Sequence, residues 1–390
     1  MDARVALVRC DSYEQAVVDD AVRRGLVLLG GAERFVTSGE SIVVKPNLLV
    51  ASSPDAAVTT HPAVFEAVAL ALAEAGASLT YGDSPGFGNP EAAARRAGIA
   101  AVADRLGVPC ADFTNGTQVS APEGRLIKQW FIANGVLEAH GIVSLPKLKT
   151  HALTRMTGAV KNQFGCIPGA RKGEFHARMP DVERFCQMLV DLALFLRPRL
   201  HVMDAVVAME GNGPRGGDPR QVGALLLSAD PVALDATACR LIDLDPALVG
   251  TVTSGGESGL GVWLAEEIEL VGDALDSFAV RDFVANRSGG STTGRGVGGP
   301  LGRRIRSLIV PRPVIVEERC TRCGTCVEVC PVEPNAVDWV AGEDATGRER
   351  HVPVYDYAQC IRCYCCQEMC PERAIEVDIP LLGRFVHRAP

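Results

Sequence analysis

Three features of the sequence predict an α/β domain built on a mainly parallel sheet, followed by a smaller α+β domain. Residues 1–284 alternate short apolar runs with stretches of helical period. Residues 285–313 break that alternation with Gly, Ser, Thr and Arg. Nine of the fourteen cysteines then crowd into residues 320–370.

The elements of the first region follow in order. Residues 5–8 (Val-Ala-Leu-Val) read as a strand, and residues 13–29 as an amphipathic helix ended by Gly30 and Gly31. Residues 41–44 form the next strand. A helix opens at Thr60-His61-Pro62, with the proline in the first turn, where its missing N–H costs nothing. It runs to Glu74 and stops at Gly76. Residues 78–81, 141–145, 200–207 and 222–227 are further apolar runs, separated by helical stretches such as 181–196 and 231–242. Asp230 reads as the N-cap of the last of these. Strand–helix alternation favours a parallel sheet with helices on its faces.

Composition narrows the function classes. The chain is 47% hydrophobic and 22% charged, with a net charge of −8, an acidic balance that argues against nucleic acid as a partner. Met1-Asp2-Ala3-Arg4 leads into a short strand and not a leader-like apolar segment, and no run approaches the span of a bilayer. The expectation is a soluble, cytoplasmic protein with no membrane partner. Residues 285–312 carry six arginines and no acid. They read as a solvated basic linker, or as an arm for an acidic partner such as an electron donor.

The cysteine spacing is the most specific signal. Cys320-x2-Cys323-x2-Cys326-x3-Cys330-Pro331 is repeated as Cys360-x2-Cys363-x2-Cys366-x3-Cys370-Pro371. Each half matches the run by which bacterial ferredoxins hold a [4Fe–4S] cluster, the fourth cysteine of each half serving the other cluster. Two clusters are therefore expected in a ferredoxin-like domain over residues 314–390. One takes Cys320, Cys323, Cys326 and Cys370; the other takes Cys360, Cys363, Cys366 and Cys330. Zinc would leave the x3-Cys-Pro spacing unexplained, and disulfides would have no use for the duplication. Cys365 is an extra thiol beside a ligand, and residues 339–349 are expected to form an extended hairpin loop.

Cofactor fingerprints are otherwise lacking in residues 1–284. Gly211-Asn212-Gly213-Pro214-Arg215-Gly216 fits a dinucleotide-binding pattern only formally, because Pro214 and the strand at 222–227 deny it the helix that such a turn must open. Four polar clusters instead follow strands. They are Lys45-Pro46-Asn47, Gly82-Asp83-Ser84-Pro85-Gly86, Lys147-Leu148-Lys149-Thr150-His151 and Glu210-Gly211-Asn212-Gly213. The carboxyl ends of parallel strands are where ligands bind, so the four point to one shared site. The segment 156–165, with Thr157, Lys161 and Asn162, and His176 beyond it, joins them. A lone strand-end lysine or histidine is ordinarily structural; the weight comes from basic groups gathered within a short span. Lys147, Lys149, His151, Lys161 and His176 are the candidate catalytic residues of a cationic pocket. Lys45, Asn47, Asp83, Ser84, Thr157, Asn162, Glu210 and Asn212 are the candidate substrate-binding residues.

Those segments, together with Ser228-Ala229-Asp230-Pro231-Val232-Ala233-Leu234-Asp235, resemble the domain-of-unknown-function 362 family over roughly residues 40–270. Members of that family often carry a C-terminal 2[4Fe–4S] domain. The resemblance implies this architecture and an iron–sulfur redox role, without naming a reaction. The expectation is a reductase that takes electrons from an external donor (a ferredoxin, flavodoxin or reductase). It would pass them to a small, anionic or carbonyl-bearing substrate, reducing a C=C, C=O or C–X bond. A non-catalytic electron carrier and a redox-responsive binding protein are the alternatives. A closed pocket facing a cluster favours the reductase, and a flat surface favours the carrier.

Overall fold

A computed structural model describes residues 3–169, 171–278, 280–289, 308–339 and 352–387. Eleven strands build the N-terminal domain. They are β1 (Arg4–Arg9), β2 (Ser41–Pro46), β3 (Ser78–Tyr81), β4 (Gly116–Ser120), β5 (Gln129–Ala133), β6 (Gly141–Leu145), β7 (Lys147–His151), β8 (Arg155–Thr157), β9 (Leu200–Glu210), β10 (Asp218–Ser228) and β11 (Glu269–Gly272). The main sheet has the order β11-β1-β10-β9-β6-β2-β3, with β7 and β8 attached at β9. β4 and β5 form a separate hairpin.

Most of the sheet is parallel, as the alternation predicts: β2 pairs in parallel with β3 and β6, β9 with β6 and β7, and β1 with β11. The differences are local. β10 runs antiparallel to both β9 and β1. Residues 211–217 are too few for a crossover, which needs a dozen or more, so the Gly-rich run turns a hairpin. The same turn explains why no dinucleotide site forms there.

Side chains divide between the two faces with the period of a strand. Leu7, Val43, Ala224 and Leu226 lie in one core; Ala6, Val8, Ile42, Val44, Leu225 and Leu227 lie in the other. Helices α1 (Gln15–Leu28) and α2 (Pro62–Glu74) cover the second face. His61 caps α2 by accepting from the Ala63 N–H. Helices α3 (Pro90–Arg96) and α4 (Ile99–Leu106) pack on α2's side, and α5 (Asn134–Leu137) follows the small hairpin. The first face carries α6 (Ala159–Asn162), α7 (Arg171–Arg178), α8 (Val182–Leu196), α9 (Pro231–Leu241) and α10 (Gly250–Glu257). Asp230 accepts from the Val232 and Ala233 N–H groups at the start of α9.

The C-terminal domain is small, α+β and built from two matching halves. β12 (Arg312–Ile315) pairs antiparallel with β15 (Ile375–Asp378), and β13 (Val337–Asp338) with β14 (Val354–Tyr355). Short helices span Thr325–Glu328 and Cys365–Met369, each entered through a left-handed residue, Gly324 and Tyr364. Ordered packing continues past residue 284, since Arg287 donates to the carbonyls of Ile242, Asp243 and Phe283. Residues 290–307, most of the expected basic linker, and 340–351, most of the expected hairpin loop, lie outside the described residues. No helix among the described residues is long and apolar enough to cross a membrane.

Candidate functional site

A cavity of about 560 Å³ lies where the two domains meet. The N-terminal domain lines it with Asn47, Asp83, Ser84, Lys161, Asn162 and His176, all six expected from the sequence, and with Phe87, Phe164 and Lys172. The C-terminal domain closes it with Glu328, Val329, Cys330, Cys365, Glu368 and Met369.

Local chemistry explains how the first wall is held. The N–H groups of Ala159 and Val160, at the start of α6, donate to the Asp235 carboxylate of α9 at 2.6 and 3.1 Å. A Cβ on Gly158 would lie 2.2 Å from Asp235 Oδ1, so this approach requires glycine. α6 then presents Lys161 and Asn162. Asn162 Nδ2 donates to Ser144 Oγ (2.9 Å), Asn47 Nδ2 to Asn162 Oδ1 (3.1 Å) and Lys149 Nζ to Asn47 Oδ1 (2.8 Å). Each amide's orientation is thus set by the group behind it. The Lys161 ammonium has no hydrogen-bond or ion-pair partner among the described residues, although it stands near Lys149, His151, His176 and Glu368.

Beside this row, Lys45 and Asp83 form a fully buried ion pair at 2.7 Å, and Asp83 Oδ2 accepts from the Leu48 N–H. Gly165 lies against the pair; a Cβ there would sit 1.8 Å from Asp83 Oδ1. Lys172 Nζ donates to Ser84 Oγ at 2.9 Å and to the Pro85 carbonyl at 3.0 Å. Burial pushes the Lys172 ammonium down to about 7, against the attraction of Asp83. His176 stacks on Phe185 at 4.3 Å, its Nδ1 has no hydrogen-bond partner among the described residues, and burial lowers it to about 4.

The linkage sign for Lys172 is definite. Between pH 7 and 10.5 the unfolded chain holds this proton and the folded one does not, so stability should rise with pH across that window. Relative to Lys172→Met, wild-type protein is expected to gain about 1–3 kcal/mol between pH 7 and 9 in anaerobic denaturant unfolding. A constant gap between the two proteins would refute the assignment.

Several expected site residues lie elsewhere. Lys147-Leu148-Lys149-Thr150-His151 is not a loop after a strand but strand β7 itself. Leu148 enters the core, and Lys147 and Lys149 point to the opposite face. Lys147 pairs with Asp204 (2.8 Å) and Tyr13, away from the cavity. Lys149 is completely buried behind Asn47 and also donates to the Val58 carbonyl at 2.7 Å. Thr157 Oγ1 donates to the Lys147 carbonyl. Lys45 stands behind Asp83. His151 accepts two backbone N–H groups at Nδ1, which leaves the proton on Nε2, 2.8 Å from Glu368 Oε1. Burial lowers His151 to about 4. Glu368 is buried too, but His151 and Lys161 outweigh that and keep its carboxyl below the usual range.

Glu210 accepts from the Val284 N–H, and Asn212 joins the domains instead of binding in the cavity. Gln367 Nε2 donates to the Asn212 and Gly213 carbonyls, Asn212 Nδ2 to the Ile375 carbonyl, and Arg215 to the Met369 carbonyl. The Gly-rich loop is therefore the dock for the C-terminal domain. The expected cationic pocket is also corrected: beside Lys161 and Lys172 the cavity is lined by Glu174, Glu328, Glu333 and Glu368, so its charge is mixed.

Sequence reasoning missed Lys172 and Glu368. Lys172 and His176 are four apart and are the two fully buried polar residues of α7, a spacing that puts them on one helix face. Glu368 is hidden inside a cysteine repeat whose spacing was read for metal alone.

The eight repeat cysteines are gathered in two sets. Cys320, Cys323, Cys326 and Cys370 line one hollow, and Cys330, Cys360, Cys363 and Cys366 line another. None is in a disulfide. Matching backbone donors, Ala336 N–H to Cys330 Sγ and Ala374 N–H to Cys370 Sγ, both at 3.3 Å, stand ready for thiolates. Four soft donors around each hollow, with N–H groups directed at sulfur, fit an iron–sulfur cluster. Cys330 lines both the second hollow and the large cavity.

Comparison with known proteins agrees with this division. The family described as "Domain of unknown function (DUF362)" matches residues 42–240, and a 4Fe-4S dicluster domain matches residues 319–374. The latter supports [4Fe–4S] binding. The chain is 38% identical over 263 residues to the Thylakoid-associated protein sll1697 of Synechocystis, covering 67% of this chain and 81% of that one. Among solved structures, the lactate racemase apoprotein from Thermoanaerobacterium thermosaccharolyticum aligns with a TM-score of 0.40 at 12% identity. That alignment covers 61% of this chain and 56% of the other.

Proposed function

The chain belongs to the Domain of unknown function (DUF362) family, and on that footing we propose that it is an iron–sulfur reductase acting on a small organic substrate in the interdomain cavity. The observation that carries the reading is Cys330, shared between the cavity wall and a four-cysteine set. Two [4Fe–4S] clusters, one per set, would supply single electrons at the cavity wall, replenished by an external carrier. A reducing cytoplasmic compartment suits so many free thiols.

This chain's residues would do the rest. Asn47 and Asn162, fixed through Lys149 and Ser144, orient the substrate. Lys161, already unpaired, stabilises negative charge as it develops on a carbonyl oxygen or carboxylate. Phe87, Phe164, Leu49 and Met369 exclude water from an apolar body. The histidines, both lowered to about 4, hold no spare proton at neutral pH. Lys172 Nζ, near 7, is the group matched to deliver one. Reduction of C=C or C=O takes two electrons and two protons, the second from solvent. A C–X bond takes two electrons and one proton and releases X⁻.

The test uses dithionite-reduced, desalted protein under anaerobic conditions, offered conjugated acids, ketones and organohalides in turn. Recovery of visible absorbance with one reduced product per two electrons is the expected result. If none of these reoxidises the protein while a ferredoxin or flavodoxin does, the chain is a carrier.

A further inference from the structure

Each cysteine repeat holds an arginine at the same place, Arg322 between Cys320 and Cys323, and Arg362 between Cys360 and Cys363. Both have left-handed backbones, at φ 58° and 64°. Their surroundings differ. Arg362 is completely buried; its Nη1 donates to the Cys360 carbonyl at 3.2 Å, while Nε and Nη2 have no hydrogen-bond acceptor among the described residues. Its guanidinium carbon stands 5.0 Å from the Tyr357 ring centre, and no carboxylate pairs with it among the described residues. Arg322 likewise has a buried Nε with no hydrogen-bond partner among the described residues, but it is only half-buried as a residue. Its hollow is also lined by the Glu372 carboxylate and the exposed thiol of Cys323.

A buried cation without a counter-charge is strongly destabilising. Arg362 does not line the hollow of Cys330, Cys360, Cys363 and Cys366, but it holds the Cys360 carbonyl of that set. The set can provide the counter-charge, because four thiolates about an iron–sulfur core would be net negative and would gain one more charge on reduction. Backbone N–H donors to sulfur are matched between the halves and cancel in the comparison. Each set also has a hydroxyl at sulfur, Tyr355 Oη donating to Cys366 Sγ at 3.2 Å and Thr325 Oγ1 lying 3.4 Å from Cys323 Sγ, so the arginines are the larger difference. Burial by itself disfavours the extra charge of reduction. The same low dielectric strengthens attraction to Arg362, however, whereas water screens Arg322.

We propose that Arg362 raises the reduction potential at the cavity-side cysteine set above that of its twin, so that electrons entering at the solvent-facing set come to rest beside the cavity. The inference rests on the cavity being the electrons' destination. One electron leaves an external one-electron carrier, passes through the solvent-facing set and resides at the cavity-side set; no bond or proton moves.

Potentiometric titration of the full, cluster-loaded chain, followed by EPR without substrate, tests it. Wild type should give two resolved one-electron steps. Arg362→Gln should lower the upper one by at least a tenfold change in equilibrium, about 59 mV, and Arg362→Lys should restore part of it. Arg322→Gln should move only the lower step. Unresolved steps in wild type, or an upper step indifferent to Arg362→Gln, overturn the proposal. If Arg362→Gln cannot hold its full iron, Arg322→Gln decides: movement of the upper step overturns, movement of the lower step alone supports. No substrate enters these measurements, so failure of the reductase assay and failure of this titration are separate results.

Discussion

Replacing Lys161 with methionine is expected to slow substrate-driven reoxidation by about 10²–10³-fold, the loss typical of removing one donor to developing charge. Lys161 is a half-buried lining residue of the cavity and carries no ion pair or hydrogen bond among the described residues. Methionine keeps much of the apolar stem and breaks no hydrogen bond, but it removes one of the charges that hold Glu368 ionised, so stability should fall by no more than about 1 kcal/mol. Lys149 gives the contrast. Its removal strips Asn47 Oδ1 and the Val58 carbonyl of their donor, so Lys149→Met should lose stability as well as rate. Stopped-flow reoxidation read beside denaturant midpoints separates the two. An unchanged rate in Lys161→Met would remove Lys161 from the chemistry.

The contrast also shows what the sequence could and could not reveal. Apolar runs mark β1, β2, β3, β6, β9 and β10, because a strand buried on both faces leaves little else in its sequence, whereas the mostly exposed edge strand β11 is not marked in this way. The cysteine repeat identified the ligand sets, since its spacing has few other uses. The strand-end rule points to Asn47, Asp83 and Ser84, and the polar segment 156–165 to Lys161 and Asn162, and these five do meet at one cavity. It failed for Lys147–His151 because two lysines and a histidine disguise a strand whose polar groups are all partnered inside the protein. It failed for Asn212 because a Gly-rich loop that docks a second domain has the same composition as one that cradles a ligand. Glu368 and Lys172 could not be ranked at all without tertiary structure. Their importance comes from a wall made jointly by two domains, with the two residues 196 positions apart in sequence.

That joint wall depends on β7, which carries both Lys149 and His151, and β7 is anchored at its start by Lys147. Here Lys147 Nζ lies 2.8 Å from Asp204 Oδ2 and 2.8 Å from Tyr13 Oη. Tyr13 Oη donates to Asp204 Oδ1 at 2.7 Å, the His61 N–H donates to Oδ2 at 2.9 Å, and Tyr13 stacks on His61 at 3.6 Å. Both charges are wholly buried. Lys147→Met would leave the Asp204 carboxylate uncompensated in the sheet, at an expected loss of about 3–5 kcal/mol. The double variant Lys147→Met/Asp204→Asn removes both charges together and should recover most of that loss, because desolvation nearly offsets the attraction of a buried pair. Anaerobic denaturant unfolding of the four proteins of the cycle reads this directly. Additive single effects would show that the two residues do not act as a pair. If the pair holds β7 in register, the single variant should also loosen the His151–Glu368 contact. Its visible cluster absorbance would then bleach at lower denaturant than in the double variant.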